Sequence, residues 1–537
     1  MPSLFLCVLY VNVLFGTLLP GRHPLRITPM NRTARLGALL ILTACGAPKA
    51  PSPVATARLR IIGTNDFHGA LEPRRVAGGQ RGGVAALAAT IARAEAECVA
   101  PACEWILVDG GDQFQGTLAS NLAFGRPVSD IFNHVGFAAA ALGNHEFDWG
   151  QDTLRARMRD ERYGVFAANV RYTDGRDVPW IRDDTLIVRG AFKIGVIGLL
   201  TRSTTTSAKE SMIQGLRFDD PVPIVDSLAA DLRRRGANTV VIVAHMGGFC
   251  DQEGTTNCRG EIFDVVRAVK QPIDAVIAGH SHSLVNTVVN GVPIVQGFSS
   301  GTAIDVVDIA YDRTATPTRH EVRSVYTDSV APDAWVAQRV SAAEQAVAAK
   351  ASVVVATVAT ELPGTDTGPL GDLVADAMRA AGNADFGVMN HGGIRAPLHA
   401  GVVRYSDVFE VSPFGNVLYK ITAKGAEMRR YFEKIVGGRT PNAWVSGVRI
   451  TYDSTRSAGS RITSLTLADG RPFDDAATYS VVINDFMLTG GSGLGFPGQD
   501  VSSAPININD LDALIAYLKS LPQPVTVRAE TRIRVAR

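Results

Sequence analysis

Several features are scarce in this chain of 537 residues, and each scarcity excludes something. Net charge is nearly absent: the formal value is +1, and basic residues gather only in short clusters such as Arg233-Arg234-Arg235. A nucleic-acid polymer is met by a dense basic surface, so none is expected as a partner. Cysteine is sparse, with six residues, of which Cys7 and Cys45 fall in the first 45 positions. The other four form two local pairs, Cys98 with Cys103 and Cys250 with Cys258, and neither pair has the C-x-x-C spacing of a structural zinc site. Close, even pairing predicts two small-loop disulfides and an oxidising compartment. There is no internal repeat, and the C-terminal "VTVRAETRIRVAR" is polar and basic, so no anchor is expected at that end.

What is present is globular. Hydrophobic residues make up 46% and charged residues 20%. The length exceeds what one core usually organises, which predicts two folded domains; no oligomeric state follows from it. Long apolar stretches are confined to the N-terminus, as "LFLCVLYVNVLFGTLL" from Leu4 and "LGALLILTAC" ending at Cys45. The second has the build of an export signal: Met30 as its start, Arg32 and Arg35 as the positive region, and Leu36 to Leu42 as an apolar core too short to span a bilayer. "LTAC" at 42–45 resembles a bacterial lipobox, which predicts a lipid-anchored periplasmic or cell-surface protein attached to the membrane through Cys45; a plain cleaved signal is the alternative. Residues 46–57, rich in Pro, Ala and Ser, then read as a tether.

From 58 to about 330, β-branched runs such as "RLRIIG", "WILVDGGD", "FKIGVIGLL", "TVVIVAHMGG", "IDAVIAGHSH" and "VPIVQG" alternate with helical patterns such as "GGVAALAATIARAEAEC". That alternation predicts an α/β domain with its sheet covered by helices. Residues 331–351 read as a connecting helix, with Pro332 in its first turn, Asp333 at its positive end and Val336, Val340, Ala343 and Val347 along one stripe. A second α/β domain is expected over 352–537, with a helix in "TGPLGDLVADAMRAAG" and strands including "GVRITYD" and "YSVVINDFML".

The strand-like runs of the first domain end in residues that bind metals. "RIIGTN" leads to Asp66 and His68, "WILVDGG" to Asp112, "VVIVA" to His245 and "IDAVIAG" to His280 and His282, while "GNHEFD" adds Asn144, His145, Glu146 and Asp148. Each segment alone is an ordinary turn or a core histidine. Together they hold five of the ten histidines, and ligands of open α/β sheets bind beyond the carboxyl ends of the strands. A shared site for two divalent metals is therefore expected. A carboxylate can bridge such a pair, and mixed N/O ligands favour Zn, Mn or Fe over Ca.

The order D-x-H, GGD, GNHE, H-M-G, GHSH resembles the calcineurin-like metallophosphoesterases. By that resemblance Asp66, His68, Asp112 and His282 would hold one metal and Asp112, Asn144, His245 and His280 the other, with Asp112 bridging. The metals would clamp a phosphoryl group and activate water for attack. His145 would face that group as a cation oriented by Asp148. An alternative for Glu146 and Asp148 is capping of a following helix.

"MNHGGIRA" (389–396), "SPFGNVLYKIT" (412–422) and "FMLTGGSGLGF" (486–496) resemble the C-terminal domain of 5'-nucleotidases and periplasmic UDP-sugar hydrolases. The resemblance implies that Phe414 and Phe486 sandwich a nucleobase, Arg395 binds an anionic part and Asn416 a polar edge of the base. Two positions depart from the family: Ser492 replaces an aspartate that serves the ribose hydroxyls, and Asp372 replaces an asparagine with no arginine nearby. The implied function is hydrolysis of nucleotides to nucleoside and phosphate, with 2',3'-cyclic phosphodiester or UDP-sugar hydrolysis as alternatives. A non-catalytic nucleoside-binding lipoprotein is the alternative from another class.

Overall fold

A computed structural model describes residues 58–76, 79–311, 318–364, 368–497 and 501–536. The export signal, the lipobox Cys45 and the tether 46–57 lie outside the described residues. No helix among those described is long and apolar enough to cross a membrane.

The first domain is a sandwich of two six-stranded sheets. One runs in the order Arg319–Ser324, Ala303–Ala310, Arg58–Thr64, Cys103–Asp109, Ala139–Ala141, Gly164–Phe166. The other runs Leu284–Val289, Val292–Gly297, Ala275–Ala278, Thr239–His245, Phe192–Leu200, Asp184–Arg189. Period-2 alternation explains the layering. Leu59 and Ile61 point into the space between the sheets, with Ile106, Val108, Val196, Val241, Val243 and Ile277. Ile62 and Leu107 point outward, against a core shared with the helices Val84–Ala96 and Arg126–Val135. Pro221–Arg234 and Glu261–Ala268 cover the second sheet in the same way, over Ile197, Ile242 and Ala244. Central strands buried on both faces read as continuous apolar runs, which is why they were visible in the sequence.

The central strands of each sheet pair in parallel, Ile61 with Ile106 in the first and Val241 with Val196 and Ala275 in the second. Their carboxyl ends therefore share one edge. There the sheets close on each other: a Cβ on Gly63 would sit 2.8 Å from Ile277 Cγ2, so only glycine fits. Disulfides join Cys98 to Cys103 and Cys250 to Cys258, the two local pairs.

The connecting helix spans Ala334–Ala351. Asp333 is its N-cap, accepting the Val336 N–H at 2.8 Å, and Pro332 precedes the helix rather than opening it. Val336 and Val347 are buried; Trp335 stacks on His134 with ring centroids 4.0 Å apart. Beyond it a five-stranded sheet runs Ala443–Ser446, Phe386–Asn390, Thr478–Asn484, Val417–Lys424, Ser502–Asn509. Helices Pro369–Ala381 and Asp510–Ser520 pack into one core, and Gly425–Ile435 packs into the other. The run "YSVVINDFML" is a strand only to Asn484, whose side chain then accepts the Met487 N–H at 2.8 Å and starts the short helix Asp485–Leu488. The polar C-terminal tail is not idle: Ile533–Val535 adds a strand beside Val448–Tyr452.

Ile61 has no exposed surface and faces the second sheet. Ile61→Ala is expected to lower stability by about 2–5 kcal/mol, as deleting a core aliphatic side chain does, read as a shift of the denaturant midpoint.

Candidate metal centre

The loops that leave the shared edge are short and sharply bent. Asp66, His68, Asp112, His280 and His282 have φ of 48°, 52°, 58°, 78° and 53°. Left-handed backbone is uncommon outside glycine, and five instances on one edge mark a place where the surroundings over-determine the chain. Backbone bonds provide part of that constraint. Asp66 N–H donates to Gly111 O and His68 N–H to Asp112 O, both at 2.9 Å, so the D-x-H and GGD loops run side by side. The His280 N–H donates to both Asp66 carboxylate oxygens, at 2.9 and 3.0 Å, tying the loop of the second sheet to that of the first.

The side chains converge as lone-pair donors. His245 turns Nδ1 to the Gly110 carbonyl at 2.9 Å, which fixes the hydrogen there and leaves the Nε2 lone pair free. That Nε2 lies 3.0 Å from Asp112 Oδ2, 3.1 Å from Asn144 Oδ1 and 3.2 Å from His280 Nδ1. His68 likewise points Nδ1 at the Gln115 carbonyl, 2.8 Å away, and faces His282 Nε2 with its own Nε2 at 2.9 Å. His282 Nε2 is 3.3 Å from Asp66 Oδ1, and Asp112 Oδ2 is 3.7 Å from His68 Nε2. Asp66 and His245 have no exposed surface, Asp112 and Asn144 1% each. Two groups, Asp66 with His68 and His282, and Asp66 with Asp112 and His245, are compact enough to hold a cation.

This donor set fits divalent metals, because buried lone pairs facing one another require positive charge between them. The protonation pattern shows the same demand. Burial presses the His245 imidazole towards neutrality, yet Asp112 and Asp66 overcome it and lift it to about 10. Burial pushes the Asp66 carboxyl up, and His282 outweighs it, leaving it at about 2. Burial together with His245 drives His280 down to about 3.

Beside this cluster, His145 Nδ1 sits 2.8 Å from Asp148 Oδ2, and its backbone N–H donates to Asp112 Oδ1 at 2.8 Å. Burial lowers the affinity of His145 for a proton, but Asp148 and Asp112 more than offset it and raise its pKa. The second domain supplies the opposite wall. Arg395 brings Nη2 to 3.1 Å from His68 Nε2. Phe414 stacks beside His145 with centroids 5.4 Å apart and planes at 23°. Asp112, Asn144, His145, Asp148, His280 and His282 share a cavity of about 280 Å³ with Arg395, Phe414, Asn416, Phe486 and Ser492. Of the sequence-derived site residues, Asp66, His68 and His245 stand behind the cavity wall rather than on it. Asp372 points elsewhere, to Arg532 of the C-terminal tail, whose guanidinium grips Asp376 at 2.8 Å through two nitrogens.

Other residues matter that the sequence did not single out for this purpose. Glu146, 4% exposed, accepts N–H groups from Asp112, Gln113 and Gly143 at 2.9, 2.7 and 2.7 Å, so it braces the GGD loop against the GNHE loop and caps no helix. Asn65 donates to Asp66 Oδ2 at 2.7 Å and to the Phe298 carbonyl at 2.8 Å. Trp149 and Lys209 also line the cavity, and Lys209 Nζ reaches Asp485 of the second domain at 3.3 Å. Glu146 and Asn65 each adjoin a motif residue, which was the one available signal.

Comparison with known proteins agrees with this geometry. The family model "Calcineurin-like phosphoesterase" matches residues 59–284, and "5'-nucleotidase, C-terminal domain" matches 347–499. The endonuclease YhcR of Bacillus subtilis is 30% identical over 515 residues, 89% of this chain but only 41% of that longer protein. A 5'-nucleotidase of Vibrio cholerae is 25% identical over 89% of this chain and 93% of its own length. The crystal structure of a 5'-nucleotidase precursor from Thermus thermophilus superimposes with a TM-score of 0.79 at 28% identity, covering 89% of this chain and 99% of that one. With both domain models in order and a solved relative matching along nearly its whole length, the chain belongs to the 5'-nucleotidase family of metallophosphoesterases, hydrolases that act on phosphoester bonds.

Proposed function

We propose that this chain is an exported 5'-nucleotidase-like hydrolase that releases phosphate from nucleotides, with residues 58–330 as the catalytic module, 331–351 as connector and 352–537 as the substrate-binding module. The observation that carries the reading is that His145, Asp148, Arg395, Phe414 and Phe486 meet the ligand cluster in one cavity. Asp66, His68, Asp112 and His282 would hold one divalent metal, and Asp112, Asn144, His245 and His280 the second. When bound, such a pair supplies Lewis acidity towards phosphoryl oxygens and towards water. Arg395 is the cation available to the phosphoryl oxygens from the second domain, and its planar fork suits that geometry. His145, whose pKa Asp148 and Asp112 raise against burial, would donate a hydrogen bond to developing charge or a proton to the leaving oxygen. Phe486 offers a flat face to the base, which tolerates several bases because each has a π-face. Export rests on the leader read over 30–45 and on the two local disulfides; anchoring through Cys45 is part of the same proposal.

The test uses protein lacking the leader, with Mn or Zn added, and follows phosphate release from AMP, UMP with glucose 1-phosphate from UDP-glucose, and nucleoside monophosphate from a 2',3'-cyclic nucleotide. Fast, metal-dependent turnover of AMP is expected. Turnover of the cyclic ester or UDP-glucose alone would replace the nucleotidase reading with one of its alternatives, and binding of nucleosides without turnover would favour the non-catalytic lipoprotein. Asp112→Ala is expected to abolish activity and to reduce bound metal below two per chain, counted by elemental analysis. His145→Gln keeps a hydrogen-bond donor but cannot carry the charge; it should lower kcat by about 10²–10⁴-fold with metal content unchanged. Phe486→Ala should cost about 1–3 kcal/mol in kcat/KM for AMP and leave a small non-aromatic ester such as glycerol 2-phosphate unaffected, which separates base stacking from a general packing defect.

A further inference from the structure

Alternation along the GHSHS segment leaves half of it without an assigned role. Residues i and i+2 share a side, so His280 and His282 turn to the metal cluster while Ser281 and Ser283 turn away from it. The two serines, each half-buried, enter a hydrogen-bonded knot. Ser281 Oγ donates to the Gly248 carbonyl at 2.7 Å and accepts the Gly248 N–H at 3.1 Å, and Ser283 Oγ donates to the same carbonyl. From the neighbouring strand Val292–Gly297, Gln296 closes the knot. It has no exposed surface, and its Nε2 donates to the Ser283 carbonyl at 2.7 Å and to Ser281 Oγ at 3.0 Å, which uses both amide hydrogens.

The loop needs such a clamp. His280 and His282 are both left-handed, at φ 78° and 53°, with one residue between them. They also serve different neighbours: His280 Nδ1 approaches His245, and His282 Nε2 approaches His68 and Asp66. A relaxed backbone would return both residues to negative φ and rotate both imidazoles out of place. Gln296 grips the loop on both flanks of His282. On the opposite side the Gly248 carbonyl leads into the hairpin Phe249–Asp251 and Thr256–Arg259, which the Cys250–Cys258 disulfide closes.

We propose that Gln296 is a positioning residue of the metal centre: it locks the 280–283 loop in the conformation that sends His280 and His282 to two different ligand groups. The inference rests on the two-metal reading above, and it concerns how tightly metal is held rather than what is hydrolysed. Gln296 does not line the substrate cavity, so substrate binding is not its direct concern.

The experiment titrates Mn or Zn into chelator-stripped protein by calorimetry and counts retained metal, for the wild type, Gln296→Glu, Gln296→Met and Ser281→Ala. Gln296→Glu keeps the size and removes both donors. Wild-type protein should hold two metals per chain. The glutamine variants, folded by circular dichroism, should bind metal about 10–100-fold more weakly, the usual effect of losing a partner that orients a ligand. At saturating metal their kcat should return to within about threefold of wild type with KM unchanged, because the ligands and the cavity are intact. Ser281→Ala, which leaves the bond to the Ser283 carbonyl, should show a smaller loss of affinity. Metal affinity within twofold of wild type in both folded glutamine variants would overturn the proposal, as would metal loss only in proportion to unfolded protein. If neither glutamine variant folds, unchanged affinity in Ser281→Ala overturns it. A wild type that binds no metal would instead overturn the metallophosphoesterase reading, which keeps the two failures distinct.

Discussion

The Asp112 carboxylate accepts the His145 N–H through Oδ1 at 2.8 Å while its Oδ2 lies between His245 at 3.0 Å and His68 at 3.7 Å. One buried anion thus faces both histidine groups and also fixes the backbone that carries His145. Such a charge is tolerable in a protein interior only when cations and N–H groups surround it. The loops, the left-handed residues and the second carboxylate beneath are consequences of building that surround. Glu146 spends its carboxylate on three backbone N–H groups of the GGD and GNHE loops, so the segment carrying Asp112 and the segment carrying Asn144 and His145 cannot move apart. Burial and the nearby Asp112 lift the Glu146 carboxyl to about 8, against the backbone N–H groups of Gln113 and Asp112, which favour its charged form.

The fold converts sequence distance into proximity at one edge. Parallel pairing aligns the carboxyl ends of Arg58–Thr64, Cys103–Asp109, Thr239–His245 and Ala275–Ala278, so ligands more than 200 residues apart in sequence come within hydrogen-bond range. Glycine permits the closeness. A Cβ on Gly63 would strike Ile277, and no side-chain rearrangement of a packed core removes that contact without cost. The two sheets are therefore not interchangeable supports: the first contributes Asp66, His68 and Asp112, the second His245, His280 and His282, and each set is incomplete without the other.

Much of this was legible in the amino-acid order alone. Strands buried on both faces produce unbroken apolar runs, and metal ligands at their ends stand out as Asp and His after Gly, so "VVIVAH" and "IDAVIAGHSH" announce both the element and its use. Residues that work through hydrogen bonds to distant backbone do not announce themselves. Gln296 is a glutamine in a strand until its partner loop is known, and Glu146 looks like a helix cap because its acceptors bind N–H groups 33 and 34 positions earlier as well as one three positions earlier. Ala139–Ala141 gives no β-branched signal and is a strand because the sheet around it leaves no other course. Asp372 stands in a motif-like position yet turns to Arg532 in the C-terminal tail, an interaction that local pattern cannot contain.

The interface between the domains follows from the same shortage of positive charge. Arg395 reaches His68 Nε2, and that nitrogen has a single lone pair, since its ring carries its hydrogen on Nδ1 towards Gln115. The lone pair can accept the guanidinium N–H or bind a cation, not both. A cation there would free that guanidinium N–H for another acceptor, in a setting where Asp112, Asp66 and Asp148 already hold the guanidinium charge. Phe414 is held by the same arrangement, with His145 stacked beside it and the Arg395 guanidinium 5.8 Å from its centroid. Arg395 and Phe414 of the second domain are thus placed against histidines of the first, and polar ties farther out among the described residues include Asn121 to the Pro413 carbonyl and Lys209 to Asp485, single contacts of little strength. Buried charge at the centre is joined by apolar packing, since one hydrophobic core takes in Leu118 and Ala119 of the first domain, Val336 and Val347 of the connecting helix, and Val408 and Phe409 of the second.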